Sequence, residues 1–298
     1  MNGPSYDCLR RTAARIDAEE LDKVFGSWAL ALVAGRPGGG PVVLAADGKG
    51  LRGAKNGGGQ VTRLLAACDH ATGIVVGPVE VGAKTNEIPK VKDLLDQIGD
   101  VSGVVFTLDA LHTQDKTAEL IVSRGADYLF TVKASQPGLL ASCLAHPWNR
   151  ADSHTTAIKG HGRVSTWTAK TQTPSRWVRF PGVAQVAQVV RRRKTARGES
   201  IETCHMVTSV GPGRAGPAQI AASAQGHWSI ENRIHWVRDV TYDEDRSQLR
   251  RGNAPRVMAA IRNTAIALIR ATGATSIAQS QRHLAHRYDT ITQLIGLC

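Results

Sequence analysis

The stretch from His227 to Asp245 reads HWSIENRIHWVRDVTYDED, and its spacing predicts a helix with two side-chain stripes. Ile230, Ile234 and Val237 recur at helical intervals and form an apolar face suited to packing on a core. The neighbouring stripe is ionisable, and burying such groups is costly unless they have partners. Its members are His227, Glu231, His235 and Arg238.

This ionisable stripe has two interpretations. A solvated helix face is the ordinary one, because charged side chains mostly meet water. Trp228 and Trp236 argue against it, since aromatic side chains rarely crowd a face that only meets solvent. Glu231 is therefore a candidate functional carboxylate, and two aspartates earlier in the chain are its candidate partners.

The composition favours a polyanionic partner. The chain has 298 residues, enough for a substantial core and about two domains, and its 37 basic and 25 acidic residues give a net charge of +12. Such a surplus is typical of nucleic-acid-binding proteins, although ordinary basic drift gives the same balance. There is no apolar run of membrane-spanning length and no apolar signal segment. The five scattered cysteines, without a CxxC, favour free thiols in a reducing cytosol.

The first candidate aspartate follows a short apolar run. Val42–Ala46 predicts a strand buried on both faces, which ends at Asp47 immediately before a Gly-Lys-Gly turn. A carboxylate at the end of a buried strand is well placed for a site, but an isolated Asp-Gly is equally consistent with a simple turn. The Gly-Lys-Gly is not a phosphate loop, because the GxxxxGK[ST] spacing is absent.

The second candidate, Asp109, follows the apolar run Val104–Leu108. Between the two aspartates the pattern predicts a hairpin and then a helix that starts after Asn86, with Pro89 in its first turn. A helix at 113–124 and a strand at 127–133 follow. The resulting order predicts a mixed α/β, ribonuclease H-like sheet flanked by helices, with the first and fourth strands side by side. In that order Asp47 and Asp109 are neighbours.

The remaining segments predict further domains. Residues 1–34 are a helical N-terminal segment, with Asp17 as a helix N-cap and an apolar stripe of Leu21, Val24, Trp28 and Leu32. The glycine-rich residues 35–41 are a linker. The other predicted divisions are a catalytic domain at 42–134 and 211–272, a β-rich insertion at 135–210, and a C-terminal helical tail at 273–298.

The predicted insertion has strand-like runs near 154–159, 163–172, 183–193 and 202–209, together with interleaved basic and aromatic residues. Such a mixture suits a nucleic-acid surface, although an exposed hairpin tip with solvated charge is an equal alternative. The candidate DNA-binding residues are Lys84, Lys133, Trp167, Arg191, Arg192, Arg193 and Lys194.

Asp47, Asp109 and Glu231 form a candidate metal site. Carboxylate oxygens are the ligands that Mg²⁺ prefers, and two such ions about 3.5–4 Å apart support phosphodiester chemistry. In this hypothesis Asp47 bridges the ions and the other two acids each complete one side. A zinc site on the histidines and Glu231 is the weaker alternative, because the HExxH spacing is absent. The residues expected to offset phosphate charge are Lys49, His227, His235 and Arg238.

Six segments now carry a family resemblance. In chain order they are ADGKGLRG, KTNEIP, TLDALHTQ, DYLFTVKASQP, HGR and GHWSIENRIHWVRDVTYDEDRSQLRRGNAP. Together they resemble the DDE transposases of bacterial insertion sequences, and most closely the H-repeat-associated, or ISAs-type, group. The resemblance extends from about residue 12 to residue 272.

The resemblance implies a ribonuclease H-like catalytic domain with the DDE triad on Asp47, Asp109 and Glu231, and a β insertion between the second Asp and the Glu. It implies cleavage of transposon ends with Mg²⁺, for which Mn²⁺ can substitute, and strand transfer by the freed 3′-hydroxyl. The implied partners are double-stranded DNA, as ends and target, and further copies of the chain on DNA. The implied location is the bacterial cytoplasm, at the nucleoid.

Two departures from the family pattern leave alternatives open. Members usually carry a longer helical N-terminal region, so one alternative is an N-terminally truncated, catalytically silent DNA-binding remnant or regulator. A metal-dependent nuclease without strand transfer is another. The Tyr-x₂-Arg-x₃-Glu signature of some relatives is also absent; its positions are Ala224 and His227 here, so His227 is a candidate replacement for the arginine.

Overall fold

A computed structural model of the protein describes residues 3–36, 40–55, 61–82, 87–160, 163–196, 198–228 and 230–296. The chain divides into two units. The first unit comprises Met1–Val42, Ala46–Gly99 and Ser229–Cys298, and the second comprises Val43–Ala45 and Asp100–Trp228. The predicted domain boundaries at 34, 41, 134, 210 and 272 stay predictions.

Runs of consecutive strands, β1–β3 and β6–β9, are separated by a segment in which strands and helices alternate. The strands are β1 Val43–Lys55, β2 Val61–Asp69, β3 Val75–Val81, β4 Val105–Leu108, β5 Asp127–Val132, β6 Asp152–Gly160, β7 Arg163–Gln172, β8 Gln185–Thr195 and β9 Gly198–Thr208. The α-helices are α1 Tyr6–Arg15, α2 Ala18–Ala34, α3 Lys90–Ile98, α4 Asp115–Ser123, α5 Pro137–Leu144, α6 Pro217–His227, α7 Ala254–Ala271, α8 Ile277–Leu284 and α9 Tyr288–Leu294. Two π-helical turns cover Glu231–His235 and Val237–Thr241.

The first unit contains the hairpin predicted next to the first strand. Its strands are hydrogen-bonded in the order β3-β2-β1, and β2 pairs antiparallel with β3 from Arg63↔Val81 to Cys68↔Val75. Helices α2 and α3 pack on β3, and α7 packs on α2. Helix α3 begins at Lys90, so Pro89 precedes the helix and does not lie in its first turn.

The first strand is longer than the sequence predicted. The interpretation of Asp47 as a strand end before a glycine turn was wrong, because β1 continues through Gly-Lys-Gly to Lys55. At Gly53 a Cβ atom would lie within 2.9 Å of the carbonyl oxygens of Glu244, Asp245 and Ser247. Glycine at this position therefore allows a close approach of two backbones within the extended strand.

The buried face of α2 also differs from the prediction. Asp17 caps α2 as predicted, because its carboxylate accepts from the Glu19 and Glu20 amides. The predicted apolar stripe was wrong at Val24, which is 56% exposed, whereas Leu21, Trp28 and Leu32 are half-buried. Small residues form the buried face because they allow α2 to approach β3: a Cβ at Gly26 would lie 3.4 Å from the Gly77 nitrogen. The buried residues are Ala18, Asp22, Gly26, Ala29 and Val33.

The second unit contains a mixed sheet. Its strands follow the order β1-β4-β5-β9-β8-β7-β6, with β1-β4 and β4-β5 parallel and the later pairs antiparallel. The predicted side-by-side placement of the first and fourth strands is confirmed by the pairs Val43↔Val105 and Ala45↔Thr107. Strands β6–β9 match the four predicted runs to within about five residues, and β9 pairs directly with β5.

The architecture is therefore mixed α/β, with helices against the strands in both units. Tyr128 and Phe130 are fully buried on β5, and their rings stack at 4.5 Å. Helix α6 packs on β4, β6, β7 and β8. Within the described ranges, no helix is both long and apolar enough to cross a membrane.

A buried ionic cluster holds the end of the 227–245 stretch. The side chains of Arg238 and Glu244 are each only 3% exposed and form an ion pair at 2.8 Å. Arg262 on α7 reaches the same carboxylate at 3.2 Å. Removing one partner of a buried ion pair leaves an uncompensated charge, which is strongly destabilising.

We expect Glu244→Gln to lower the free energy of unfolding by about 3–5 kcal/mol, because two buried guanidinium groups lose their counter-charge. Urea denaturation followed by circular dichroism measures the change. The matched control is Asp243→Asn, which alters an exposed ion pair with Arg246 and should cost at most about 1 kcal/mol. Equal effects of the two substitutions would contradict a stabilising role for the buried carboxylate.

Candidate active site

Three ionisable side chains converge in the first unit. Asp47, Glu231 and His235 each offer a ligand atom, and these atoms lie within 4.8 Å of one another. The His235 Nδ1 atom is 3.8 Å from Asp47 Oδ2 and 3.8 Å from Glu231 Oε2. The His235 side chain is 12% exposed and that of Glu231 is 71% exposed, so the cluster is open to solvent on one side.

The donor set fits a divalent cation. Two carboxylates and an imidazole all present lone pairs, and such atoms repel one another unless a cation or a proton lies between them. Burial, together with the nearby charges of Lys49 and Arg238, lowers the pKa of His235 to about 4, against the opposing effect of Asp239. The imidazole is therefore neutral at pH 7 and has a lone pair available for a metal.

Local structure explains why Glu231 and His235 share a face. Ile230, Ile234 and Val237 are buried as predicted and anchor the segment. Its hydrogen bonds are π-helical: the Trp236 amide donates to the Glu231 carbonyl and the Tyr242 amide to the Val237 carbonyl. Apolar spacing does not distinguish this geometry from an α-helix, and π-helical turns often occur at functional sites.

Lys49 lies two residues beyond Asp47 on β1. Its ammonium group donates to both carboxylate oxygens of Asp239, at 2.7 and 2.8 Å, and its side chain is 10% exposed. Asp239 was missed by the sequence analysis, although Glu231, His235 and Asp239 are spaced by four. The Lys49–Asp239 pair therefore forms a second link between β1 and the 227–245 stretch.

Glu87 is a further acid that the sequence analysis missed. Its carboxylate lies over Gly48, where a Cβ atom would overlap it. Glu87 belongs to the KTNEIP segment, but nothing in the sequence pattern indicated that this segment lies beside Asp47. Gly48 therefore leaves room for a second acidic side chain next to the cluster.

The positive charge of Arg238 is not available to a phosphate group at this cluster. Its guanidinium is buried and hydrogen-bonded to Glu244, so the prediction that it offsets phosphate charge is corrected to a structural role. The physical reason is that a guanidinium taken out of water needs a carboxylate partner, and only Glu244 supplies it at this depth among the described residues.

Asp109 and His227 belong to the second unit. Asp109 ends β4 as predicted, is exposed, and accepts a hydrogen bond from the Leu111 amide at 3.0 Å. His227 lies 3.1 Å from the Thr107 hydroxyl, and burial lowers its pKa although the Asp109 charge acts in the opposite direction. Both residues, with the exposed Lys133, line a cleft of about 430 Å³.

The predicted basic surface is partly neutralised. Arg191 and Arg192 pair with Glu202 and Glu199 at 3.7 Å on the neighbouring strand. Arg193 is half-buried, and Lys194 is exposed. Lys84 lies outside the described residues.

Trp167 is not available to stack on a nucleic-acid base. It is 7% exposed and packs against Trp228 at 5.0 Å, with the Arg191 guanidinium 5.0 Å from each ring. The prediction for Trp167 is therefore corrected: the residue belongs to the core because its alternate position on β7 faces α6. Trp228, which is 37% exposed, is the accessible member of this aromatic pair.

Comparisons with known proteins point to one family. The family model described as "Transposase DDE domain" matches residues 38–268. "Putative transposase YncI" of Escherichia coli O157:H7 is 29% identical over 281 residues, which cover 90% of this chain and 71% of that protein. "H repeat-associated putative transposase YhhI" of Escherichia coli K12 is 27% identical over 282 residues, which cover 89% and 73%.

A solved piggyBac transposase synaptic complex with hairpin DNA is also similar, with a TM-score of 0.45 and 13% identity. The match covers 94% of this chain and 59% of that one.

We expect Mn²⁺ to bind the cluster of Asp47, Glu231 and His235, and isothermal titration calorimetry at pH 7 measures its affinity. Asp47→Asn and His235→Ala should each weaken binding by at least about tenfold, because even the loss of a group behind a metal ligand typically has that effect. Asp243→Asn, which changes an exposed acid of the same stretch, is the control. Unchanged affinity in both cluster variants would contradict the site.

Proposed function

Because the chain belongs to the family of transposase DDE domains, with H repeat-associated transposases among its relatives, we propose that it cleaves insertion-sequence ends and joins the freed 3′-hydroxyl to target DNA. The observation that carries the proposal is the convergence of Asp47, Glu231 and His235 into a cluster suited to a divalent cation. A nuclease without strand transfer would need the same cluster. A catalytically silent DNA-binding protein would need only the chain's basic charge.

In this proposal the catalytic triad is Asp47, Asp109 and Glu231. Asp47 and Glu231 offer ligand atoms to the same cluster. The resemblance to the DDE transposases assigns Asp109 as the third acid of this proposal, and His235 is an additional candidate ligand.

The proposed cofactor is Mg²⁺, with Mn²⁺ as a substitute, because two of the candidate ligands are carboxylates. When bound, such ions polarise phosphate oxygens and stabilise the charge on attacking and leaving oxygens. Asp47, Asp109 and Glu231 would hold them. In this proposal Lys49 remains hydrogen-bonded to Asp239. This ion pair fixes the orientation of the face of β1 that presents Asp47.

The ribonuclease H-like assignment is likewise part of the proposal. It is supported by a β2–β3 hairpin beside β1, by parallel pairing of β1 with β4 and of β4 with β5, and by the α6 helix before Glu231. Residues 135–210 would be the insertion between the second Asp and the Glu. Strands β6–β9 fall within this segment.

Double-stranded DNA is the proposed partner, and exposed cations are the proposed contacts. Lys133 beside Asp109 and Lys194 at the tip of β8 are exposed, so both are available to phosphates. Bringing two transposon ends together requires more than one copy of the chain, so we propose self-association on DNA.

We expect Asp47→Ala, Asp109→Ala and Glu231→Gln each to abolish metal-dependent nicking and joining of a labelled fragment that carries the ends flanking the gene. DNA binding should be largely retained, because the acids hold metal while basic side chains hold phosphate. The control is Asp115→Asn, which removes an exposed carboxylate in the first turn of α4.

The products separate the alternative functions. Nicks without joined strands would indicate a nuclease, and binding without nicking in Mg²⁺ or Mn²⁺ would indicate a silent DNA-binding protein. Full activity of the Asp109→Ala variant would contradict the proposed triad.

We expect DNA affinity to fall steeply with salt, because phosphate contacts release counterions. Lys194→Ala should reduce the slope of log affinity against log salt concentration by about 0.9, the value for one phosphate contact on duplex DNA. Fluorescence anisotropy between 50 and 200 mM salt, roughly the range over which the effect is large, measures both slopes. A flat dependence for the wild type would show that the charge surplus serves another purpose.

A further inference from the structure

The first unit contains a groove of about 540 Å³ that is separate from the Asp47 cluster. One wall is the π-helical segment, through Arg233, Trp236 and Thr241. The opposite wall is the connection from α7 to α8, with the small residues Gly273 and Ala274. The groove therefore lies along the 227–245 stretch, which also carries Glu231. It occupies a face of that stretch to which no function has been assigned above.

Two arginines bring positive charge to this groove without a matching acid. Arg233 donates to the His70 carbonyl at 2.8 Å, and Arg270 donates to the carbonyls of Thr72 and Arg233 at 3.2 and 2.8 Å. In the part of the chain that the structure describes, the hydrogen bonds of both guanidinium groups go to backbone carbonyls, and no acid lines the groove.

The arrangement of the two guanidinium groups favours an anion. The Arg270 guanidinium donates to the backbone carbonyl of Arg233, and Arg270 Nε is buried without a hydrogen-bond partner. Burial and the Arg233 charge both lower the pKa of Arg270, so the two cations repel each other in a partly desolvated place. A phosphate group would relieve this repulsion and accept several charge-assisted hydrogen bonds.

Trp236 adds a second recognition element to the same groove. Its side chain is 55% exposed, which is unusual for an indole, and it lines the groove next to Arg233. An exposed aromatic ring beside cationic side chains is the arrangement on which single-stranded nucleic acids stack their bases. An acidic peptide would satisfy the arginines but would leave the flat face of the indole without a matching group.

We propose that this groove binds one unstacked nucleotide of DNA, with its phosphate on Arg233 and Arg270 and its base against Trp236. The inference rests on the proposed function in taking DNA as the substrate. It adds a subsite for a nucleotide that has left the duplex stack, on the segment that also presents Glu231.

The test compares two labelled probes without metal, so that binding is measured apart from cleavage. One is a short oligothymidylate, and the other is the same sugar-phosphate backbone without bases. The wild-type full chain should bind the oligothymidylate about tenfold more tightly, the range for one stacked base. Trp236→Ala should remove this difference and leave backbone binding unchanged, and Trp236→Phe should retain most of it.

Arg233→Ala should weaken binding of both probes by the same factor and reduce the salt slope by about 0.7, the value for one phosphate contact on a single strand. The matched control is Arg246→Ala, which removes an exposed arginine outside the groove and should change neither the base preference nor the slope beyond a general charge effect. Thermal unfolding of each variant shows whether the fold is retained. If Arg233→Ala does not fold, the exposed Trp236 variants still decide the question.

An unchanged base preference in Trp236→Ala would overturn the proposal. So would a loss of self-association in that variant with base preference intact, because the indole would then contact another copy of the chain. Failure of the transposase proposal looks different: the wild type would then bind neither duplex DNA nor the oligothymidylate, or would bind DNA and never nick it.

Discussion

The carboxylate of Glu244, buried between the guanidinium groups of Arg238 and Arg262, is the interaction on which the candidate site of the first unit depends. Two charges out of water are tolerated only with close partners, so the position of Arg238 along its helix has little freedom. His235 precedes Arg238 by three residues and Asp239 follows it directly. Fixing Arg238 therefore fixes the orientation of the side chains that face β1.

Strand β1 meets that helical segment with matching spacing. Asp47 and Lys49 lie on the same face of the strand because side chains alternate, and two strand residues span about 6.6 Å. Residues four apart on the helical 231–239 segment lie close together on one face, so they can oppose Asp47 and Lys49. The structure shows this pairing: Asp47 faces His235, and Lys49 binds Asp239. The candidate metal ligand Asp47 is thus presented from the middle of a strand, and the adjacent Lys49–Asp239 ion pair supports its position.

Much of this framework could be predicted from the sequence, and the failures have physical reasons. The Asp17 cap and the burial of Ile230 and Ile234 follow from capping chemistry and local periodicity, and the neighbouring placement of the first and fourth strands follows from the order of the predicted elements. The continuation of β1 could not be predicted, because the glycine at position 53 serves a close tertiary approach and not a turn. Asp239 was missed for a similar reason, since its role comes from a lysine 190 positions away.

The distribution of charge within each unit shows why density of basic residues is a poor guide to a ligand site. On β8 the basic run faces glutamates of β9, so much of its charge is already compensated within the sheet. In the first unit, Arg233 and Arg270 are far apart in sequence, yet both line one groove. Their guanidinium groups donate hydrogen bonds to backbone carbonyls. A carbonyl satisfies a donor but does not neutralise its charge. What distinguishes a binding surface is therefore the cation that the fold leaves without an anion, and that property belongs to the three-dimensional arrangement and not to the sequence.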